Sequence, residues 1–336
     1  MLRRWFCWSL CLGLTSLAFV AQPTFAQDKK PGNWAALNEK DAGEDFQFQG
    51  EYTGDLSGDN DVKKLGLQVI ALGNGKFAGV AYPGGLPGDG WDKKEKFQGE
   101  GQLAGGVVTI SNPERGSVEI KDGKAVVSNK DKQVIATLSK VIRKSSTLDK
   151  KAPEGAVVLF DGKDAAHWEG GKVSADGLLQ EGTTSKDKFE NFTLHLEFML
   201  SFMPNARGQG RANSGCYMQG RYETQILDSF GLEGKNNELG GVYSIKDPDL
   251  NMAFPPLSWQ TYDVEFTAAK FGADGKKTSN GRMTVWLNGV KVQEDIELTH
   301  ATTASPQKEG PEPGPLHLQN HGNPIRFRNI WVLPKK

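Results

Sequence analysis

From Phe46 to about Arg143 the chain runs in short stretches of alternating apolar and polar residues, each ended by glycine, asparagine or aspartate. Alternation marks a β-strand with one face buried. The clearest runs are Phe46–Tyr52, Leu65–Leu72, Phe77–Tyr82, Val107–Ser111, Ser117–Ile120, Ala125–Ser128 and Val134–Ile142. Between them, Gly73-Asn74-Gly75 and Asp122-Gly123 supply residues that accept the positive φ of tight hairpins. The pattern predicts a small antiparallel barrel or meander over 46–143. Tyr82 to Trp91, rich in proline and glycine, is too long for a hairpin turn and reads as a surface excursion rather than a binding loop.

Residues 27–45 are polar and read as linker, and the charged, aperiodic stretch from Lys144 to Pro153 marks a domain boundary. Over 154–336 strand-like runs resume: Phe192–Leu200, Gly215–Leu227, Tyr262–Phe266, Met283–Asn288, Leu316–His321 and Ile325–Val332. No segment sustains a helical period. The expected fold is all-β, a two-sheet sandwich preceded by the small barrel.

Two segments carry polar groups that a merely solvated strand would not favour. In Asn213–Asp228, read as one strand, Cys216, Met218, Tyr222, Thr224 and Ile226 share one parity and face a core. Tyr217, Gln219, Arg221, Glu223 and Gln225 share the other, spaced by about 6.7 Å per pair of residues. That row has no lysine; it sets planar, bidentate hydrogen-bonding groups beside a ring, which suits vicinal sugar hydroxyls and the apolar face of a pyranose. Near the C-terminus His317, Gln319 and His321 share a parity, and Arg326 and Arg328 share a face after the Gly322-Asn323-Pro324 turn. On an unbroken strand the two histidines stand about 13 Å apart, too far to ligate one ion, so proton transfer or hydrogen bonding suits them better than metal ligation.

Composition narrows the partners. Arg3 and Arg4 precede an apolar stretch from Trp5 to Ala21, and Pro23-Thr24-Phe25-Ala26 follows. This reads as a secretory signal peptide, residues 1–26, cut after Ala26, and implies a periplasmic or secreted protein; an uncleaved anchor is the alternative. No other run is long enough to span a bilayer. The cut leaves 38 basic against 41 acidic residues, which argues against nucleic acid or an anionic membrane as partner. It also leaves Cys216 alone, so no internal disulfide is available, and Cys216 reads as a small buried apolar group. About 310 remaining residues favour two domains.

The C-terminal part resembles the 3-keto-disaccharide hydrolase family, also described as 3-keto-glucoside lyase and hydratase. The resemblance rests on Leu159-Phe-Asp-Gly-Lys163 with Trp168, Asn213-Ser-Gly215, Tyr222-Glu-Thr-Gln-Ile-Leu-Asp228, Trp259-Gln-Thr-Tyr262, Trp286-Leu-Asn-Gly289, Leu318-Gln-Asn-His-Gly322 and Phe327-Arg-Asn-Ile330. These run in order over about 155–334 and do not reach 28–150. The resemblance implies a concanavalin-like jelly roll and activity on sugars oxidised at C3.

Laminarinase-type glucanases carry E-x-D-x-x-E on one strand; here the string is Glu223-Thr-Gln225-Ile-Leu-Asp228, so the two-acid pattern is damaged. A ketone at C3 acidifies the C2 proton instead, and one base then suffices to expel the C1 substituent. The expected catalytic residues are Glu223 as base, with His317 as second candidate, and Arg221 or Arg326 beside the developing enolate oxygen. Tyr217, Gln219, Gln225, Asp228, Gln319 and His321 are expected to bind substrate. No cofactor is required by this chemistry, a divalent metal stays open, and no protein partner is indicated. The alternative is a non-catalytic sugar-binding module of the same sandwich fold; an enzyme should gather Glu223, a histidine and an arginine in one cleft, a module should leave the aromatics and amides on an open face.

Overall fold

The structure is a computed structural model that describes residues 31–58 and 63–335; the signal peptide and its cut lie outside them. Eight strands close into a barrel: β1 (Gly50–Asp55), β2 (Lys64–Gly73), β3 (Lys76–Pro83), β4 (Phe97–Ala104), β5 (Val107–Asn112), β6 (Gly116–Lys121), β7 (Lys124–Asn129) and β8 (Val134–Val141). Each pairs antiparallel with the next, and β1 meets β8 through Glu51↔Val141 and Thr53↔Ser139. Closure leaves no open sheet edge. The tight turns form where their residues tolerate left-handed backbone: Asn74 and Gly75 have φ of 55° and 71°, Asp122 and Gly123 47° and 71°.

β2 is buried on both parities because both of its faces are covered. Leu65, Leu67, Val69 and Ala71 fill the barrel with Tyr52, Phe77 and Leu138. Ile70 packs outward with Val80 and Tyr82 against Phe230 of the C-terminal part. The 82–91 excursion lies in the same seam: Leu86 is buried, and Arg143 reaches Glu51 and the Pro87 carbonyl, Nη1 to oxygen 2.7 Å.

The stretch read as linker is folded from residue 31 onward. It forms α1 (Glu39–Ala42), capped by Asn38 accepting from Asp41 N at 3.0 Å, and α2 (Glu44–Phe48). Its few apolar residues decide this against a polar average. Ala36 exchanges backbone hydrogen bonds with Phe202, 3.0 Å each way, and the Phe202 ring meets Phe46 and Trp34 edge-on inside the barrel's core cluster.

The C-terminal part is a two-sheet sandwich. Its strands are β9 (Val157–Phe160), β10 (Trp168–Glu169), β11 (Leu179–Gln180), β12 (Thr183–Phe189), β13 (Asn191–Leu200), β14 (Ser214–Met218), β15 (Tyr222–Ile226), β16 (Trp259–Thr267), β17 (Lys270–Phe271), β18 (Lys277–Ser279), β19 (Gly281–Leu287), β20 (Val290–Leu298), β21 (Gly314–Leu318) and β22 (Ile325–Lys335). One sheet has the order β10-β12-β21-β14-β15; the other runs β11-β22-β13-β16-β19-β20, with β9 also on β22, and β17 and β18 pair separately. Cys216, Met218, Ile226, Leu316 and Leu318 of the first sheet share a core with Leu194, Phe198, Tyr262 and Phe327 of the second. Among the described residues no helix is long and apolar enough to cross a membrane.

Candidate functional site

Asn213–Asp228 is not one strand. Gln219 and Gly220 take φ of 55° and 63°, and Arg221 N bonds Met218 O at 3.0 Å, so the chain folds back as a hairpin. The pairing sets Tyr217 opposite Glu223 and Gly215 opposite Gln225. Opposed residues share a face. Each pair joins odd to odd, so Tyr217, Glu223 and Gln225 still lie together, away from the core that takes Cys216, Met218 and Ile226.

That face carries a narrow cleft of about 80 Å³, with Tyr217, Glu223, Gln225 and Gln319 in its sheet wall. Segments between strands supply Gln209, Asn213, Tyr243, Thr303 and Ala304, and exposed His321 stands at its edge. The Glu223 carboxylate is held at one oxygen: Tyr217 donates to Oε2 at 2.8 Å, and Gln319 Nε2 donates to the Tyr217 hydroxyl at 3.1 Å. Burial pushes the Glu223 pKa up to about 8, against the lowering by the Tyr217 hydrogen bond. Burial, and then the neighbouring Glu223 charge, raise the Tyr217 phenol so that it keeps its proton and remains a donor. Gly215 makes room: a Cβ there would lie 2.1 Å from Glu223 Oε1.

The amides divide into committed and free groups. Gln225 Nε2 donates to Gln209 Oε1 at 3.0 Å, and Gln225 Oε1 accepts from Ile226 N at 2.9 Å. Asn213 Nδ2 donates to the Gln209 carbonyl at 2.8 Å, while Asn213 Oδ1 is buried without a partner among the described residues. A buried acceptor left open in a polar cleft is suited to a ligand hydroxyl.

Five expected site residues do not line the cleft, and four of them are held away from it. Arg221 points away at the turn, its guanidinium committed to the carbonyls of Lys308, Gly310 and Glu312 at 2.8, 3.1 and 3.0 Å and to Gln219 Oε1 at 2.9 Å. Gln219, read as facing substrate, is a turn residue whose amide donates to the Phe189 carbonyl at 2.9 Å. Asp228 lies beyond β15 and accepts from Arg211 Nε at 2.6 Å. Arg326 sits on the opposite sheet, where Nη1 bonds the Ile325 carbonyl at 3.0 Å and approaches Glu181. His317 is adjacent but does not line the cleft: it pairs with Tyr217 across β14 and β21, and its Nδ1 lies 2.9 Å from Thr184 Oγ1. Burial lowers its pKa and favours the neutral ring. His317 shares the face of the cleft beside Tyr217, ring centroids 5.5 Å apart, while β21 ends at Leu318 and His321 reaches the cleft's edge.

Gln209, in a single 3-10 turn, and Tyr243, Thr303 and Ala304, in loops, carry no periodic signal. Long-range bonds deliver them: Tyr243 N to Glu223 O at 3.2 Å and Glu223 N to Thr302 Oγ1 at 2.9 Å. Asn213 belongs to the Asn-Ser-Gly motif, which identified the segment but not this side chain's place in the cleft. Among the described residues no group of three His, Cys, Asp or Glu side chains is placed to hold one ion.

Residues 155–333 match the model of the 3-keto-alpha-glucoside-1,2-lyase-like domain. A solved protein from Parabacteroides distasonis ATCC 8503, described as a "putative glycosyl hydrolase", is 33% identical with a TM-score of 0.50, over 55% of this chain and 85% of that one. A second protein from that organism, described in the same words, is 20% identical with a TM-score of 0.41, over 58% of this chain and all of that one. No curated protein matches.

Proposed function

Since this chain belongs to the 3-keto-alpha-glucoside-1,2-lyase-like domain family, we propose that it cleaves glycosides carrying a ketone at C3, with Glu223 as the base that removes the C2 proton. The coarser function, action on carbohydrate, is supported by the family and by the glycosyl hydrolase description of its structural relative. The observation that carries the finer reading is a single carboxylate, buried and poised near neutrality, in a cleft with no second one among its lining residues. Ordinary glycosidases need two carboxyl groups, about 5–5.5 Å or 6.5–9.5 Å apart. A C3 ketone needs one base, because its carbonyl delocalises the charge left at C2.

In this mechanism Glu223 takes the C2 proton, the electron pair moves into the C2–C3 bond, and the enolate forms at the C3 oxygen. Collapse of the enolate expels the C1 substituent and leaves a C1–C2 double bond. Addition of water across that bond completes net hydrolysis. Arg221 cannot serve the enolate from its place in the turn. Tyr243 and His321, cleft residues with side chains uncommitted among the described residues, are the donors nearest to hand. Asn213 Oδ1 accepts a ring hydroxyl, and Tyr217, fixed by Gln319, orients the base. The cleft is smaller than the roughly 300–1,000 Å³ of most small-molecule sites.

The test is turnover of a 3-keto-disaccharide beside its unoxidised parent in deuterium oxide. Cleavage of the keto sugar alone, with deuterium entering C2, is expected. Equal cleavage of the parent would mean ordinary acid-assisted hydrolysis. Binding without turnover of either would instead make the domain a sugar-binding module.

A further inference from the structure

The barrel is filled at one end only. Phe48, Tyr52, Phe77, Ile120 and Leu138 pack the end nearest Phe202. Toward the ends of the strands at Pro83, Phe97, Asn112 and Gly116 the interior opens into a cavity of about 510 Å³. Protein interiors rarely leave voids larger than a water molecule, and an eight-stranded barrel either fills with side chains or holds one small ligand. The volume falls within the usual span of about 300–1,000 Å³ for small-molecule sites.

Its lining is specific in two ways. Gly79 and Gly99, paired across β3 and β4, place no side chain in it, and the apolar side chains Phe97, Val118 and Val127 remain partly exposed within it. Among the described residues no carboxylate lines it, and its one charged group is Arg115 at the rim, stacked 4.1 Å above the Phe97 ring and without an ion pair. An apolar well with a lone cation at its mouth matches a molecule with an apolar body and one anionic end. We propose that the barrel binds a single alkyl chain terminated by an anion, independently of the sandwich cleft.

Titration calorimetry of the full chain with dodecanoate, below its micelle concentration, tests this. Saturable one-to-one binding with a negative heat-capacity change is expected, since apolar surface is buried. Val127→Trp and Val118→Trp, on different strands of the well, should each weaken binding at least tenfold while melting as the parent does; if one unfolds, the other decides. Arg115→Gln should weaken dodecanoate about two- to fivefold, the reach of an exposed ion pair, and leave dodecanol unchanged. Dodecyl phosphate separates the sources: preference for the carboxylate indicates a free fatty acid, preference for the phosphate a lipid headgroup, and either upholds the site. No saturable heat with either anion, or affinity unmoved in a folded tryptophan variant, overturns it. Dodecanol binding as tightly as dodecanoate overturns the anionic end.

Discussion

In Glu223 one property causes the other: the carboxyl group is almost without solvent, and that burial raises its pKa to about 8, near the range where a base works best. Its oxygen faces Gly215 because no Cβ stands there, and its other oxygen takes the Tyr217 hydrogen bond. Glu223→Gln keeps the shape and removes the base, so turnover of a 3-keto-glycoside should fall by at least about 10²-fold with binding largely kept. In the parent, kcat/KM should rise with pH through an inflexion near 8 that the variant lacks. Stability moves the other way. Glu223 titrates near 4.5 when unfolded and near 8 when folded, so between those values the native state holds the extra proton. Parent stability therefore declines across that window, at up to about 1.4 kcal/mol per pH unit from this group. The glutamine variant should overtake the parent in denaturant midpoint by pH 8 and differ least below pH 4.5. Gly215→Ala would press a methyl group onto Oε1 and Tyr217. Its expected mark is a lower kcat with the alkaline inflexion displaced, read from the pH profile.

At the scale of the element, the β14–β15 hairpin converts a row of polar residues into a wall and a support for the loop opposite. The wall comes from register, Tyr217 against Glu223 and Gly215 against Gln225. Support for the loop comes from Arg221, whose guanidinium holds three carbonyls of residues 308–312, and from Thr302, which accepts from Glu223 N and donates to the Arg221 carbonyl at 3.1 Å. A clamp and an enolate cation fail differently when removed. Arg221→Met should leave Thr303 and Ala304 poorly placed and raise KM more than it lowers kcat, with faster amide exchange over 302–312. A kcat loss with KM unchanged would return Arg221 to the chemistry. The strand alternation was legible in the residue order, and so was the set Tyr217, Glu223 and Gln225. The hairpin was not, because Gln-Gly carries a weaker turn signal than the Asn-Gly and Asp-Gly that announced the barrel's hairpins.

Across the whole molecule, barrel and sandwich are joined by groups that composition disguises. Phe202 leaves the sandwich and enters the barrel's core, and Arg211 Nη1 donates to the Ala71 carbonyl at 3.2 Å. Phe202→Ala should cost about 3–5 kcal/mol and split a shared melting transition into two. The aperiodic joint is likewise seated on the sandwich: Asp149 N donates to Glu197 Oε1 at 2.6 Å, and Lys150 Nζ reaches Asp263 at 2.8 Å. Beneath it, buried His195 lies 3.0 Å from Asp263 and stacks on Trp331. Burial raises the Glu197 pKa, but bonds from His195, Asn329 and Arg328 outweigh it and hold the group at about 2. Its contribution is therefore present above pH 4.5 and lost as pH falls toward 2. Glu197→Gln should destabilise by about 3–5 kcal/mol at pH 7, as expected when one partner of a buried charge pair is removed. Urea unfolding should show that difference shrinking at pH 3.

What the residue order determined by itself were the properties set by neighbours in the chain. Alternation announced an all-β protein, turn dipeptides placed the barrel's hairpins, and parity put an aromatic ring, an acid and an amide on one face. These depend on backbone geometry within a few residues, where period and φ preference act directly. Tertiary structure decided which polar groups are free to meet a ligand. Arg221, Gln219, Asp228 and Arg326 are as polar as Glu223, but partners distant in the chain, from Phe189, Glu181 and Arg211 to Lys308, already satisfy them or hold them elsewhere. Asn213 Oδ1 stays open for the same reason inverted, since among the described residues no distant partner arrives. The Glu223 pKa and the half-filled barrel belong to this class as well: desolvation and void volume arise only when loops and strands far apart in sequence close around a point.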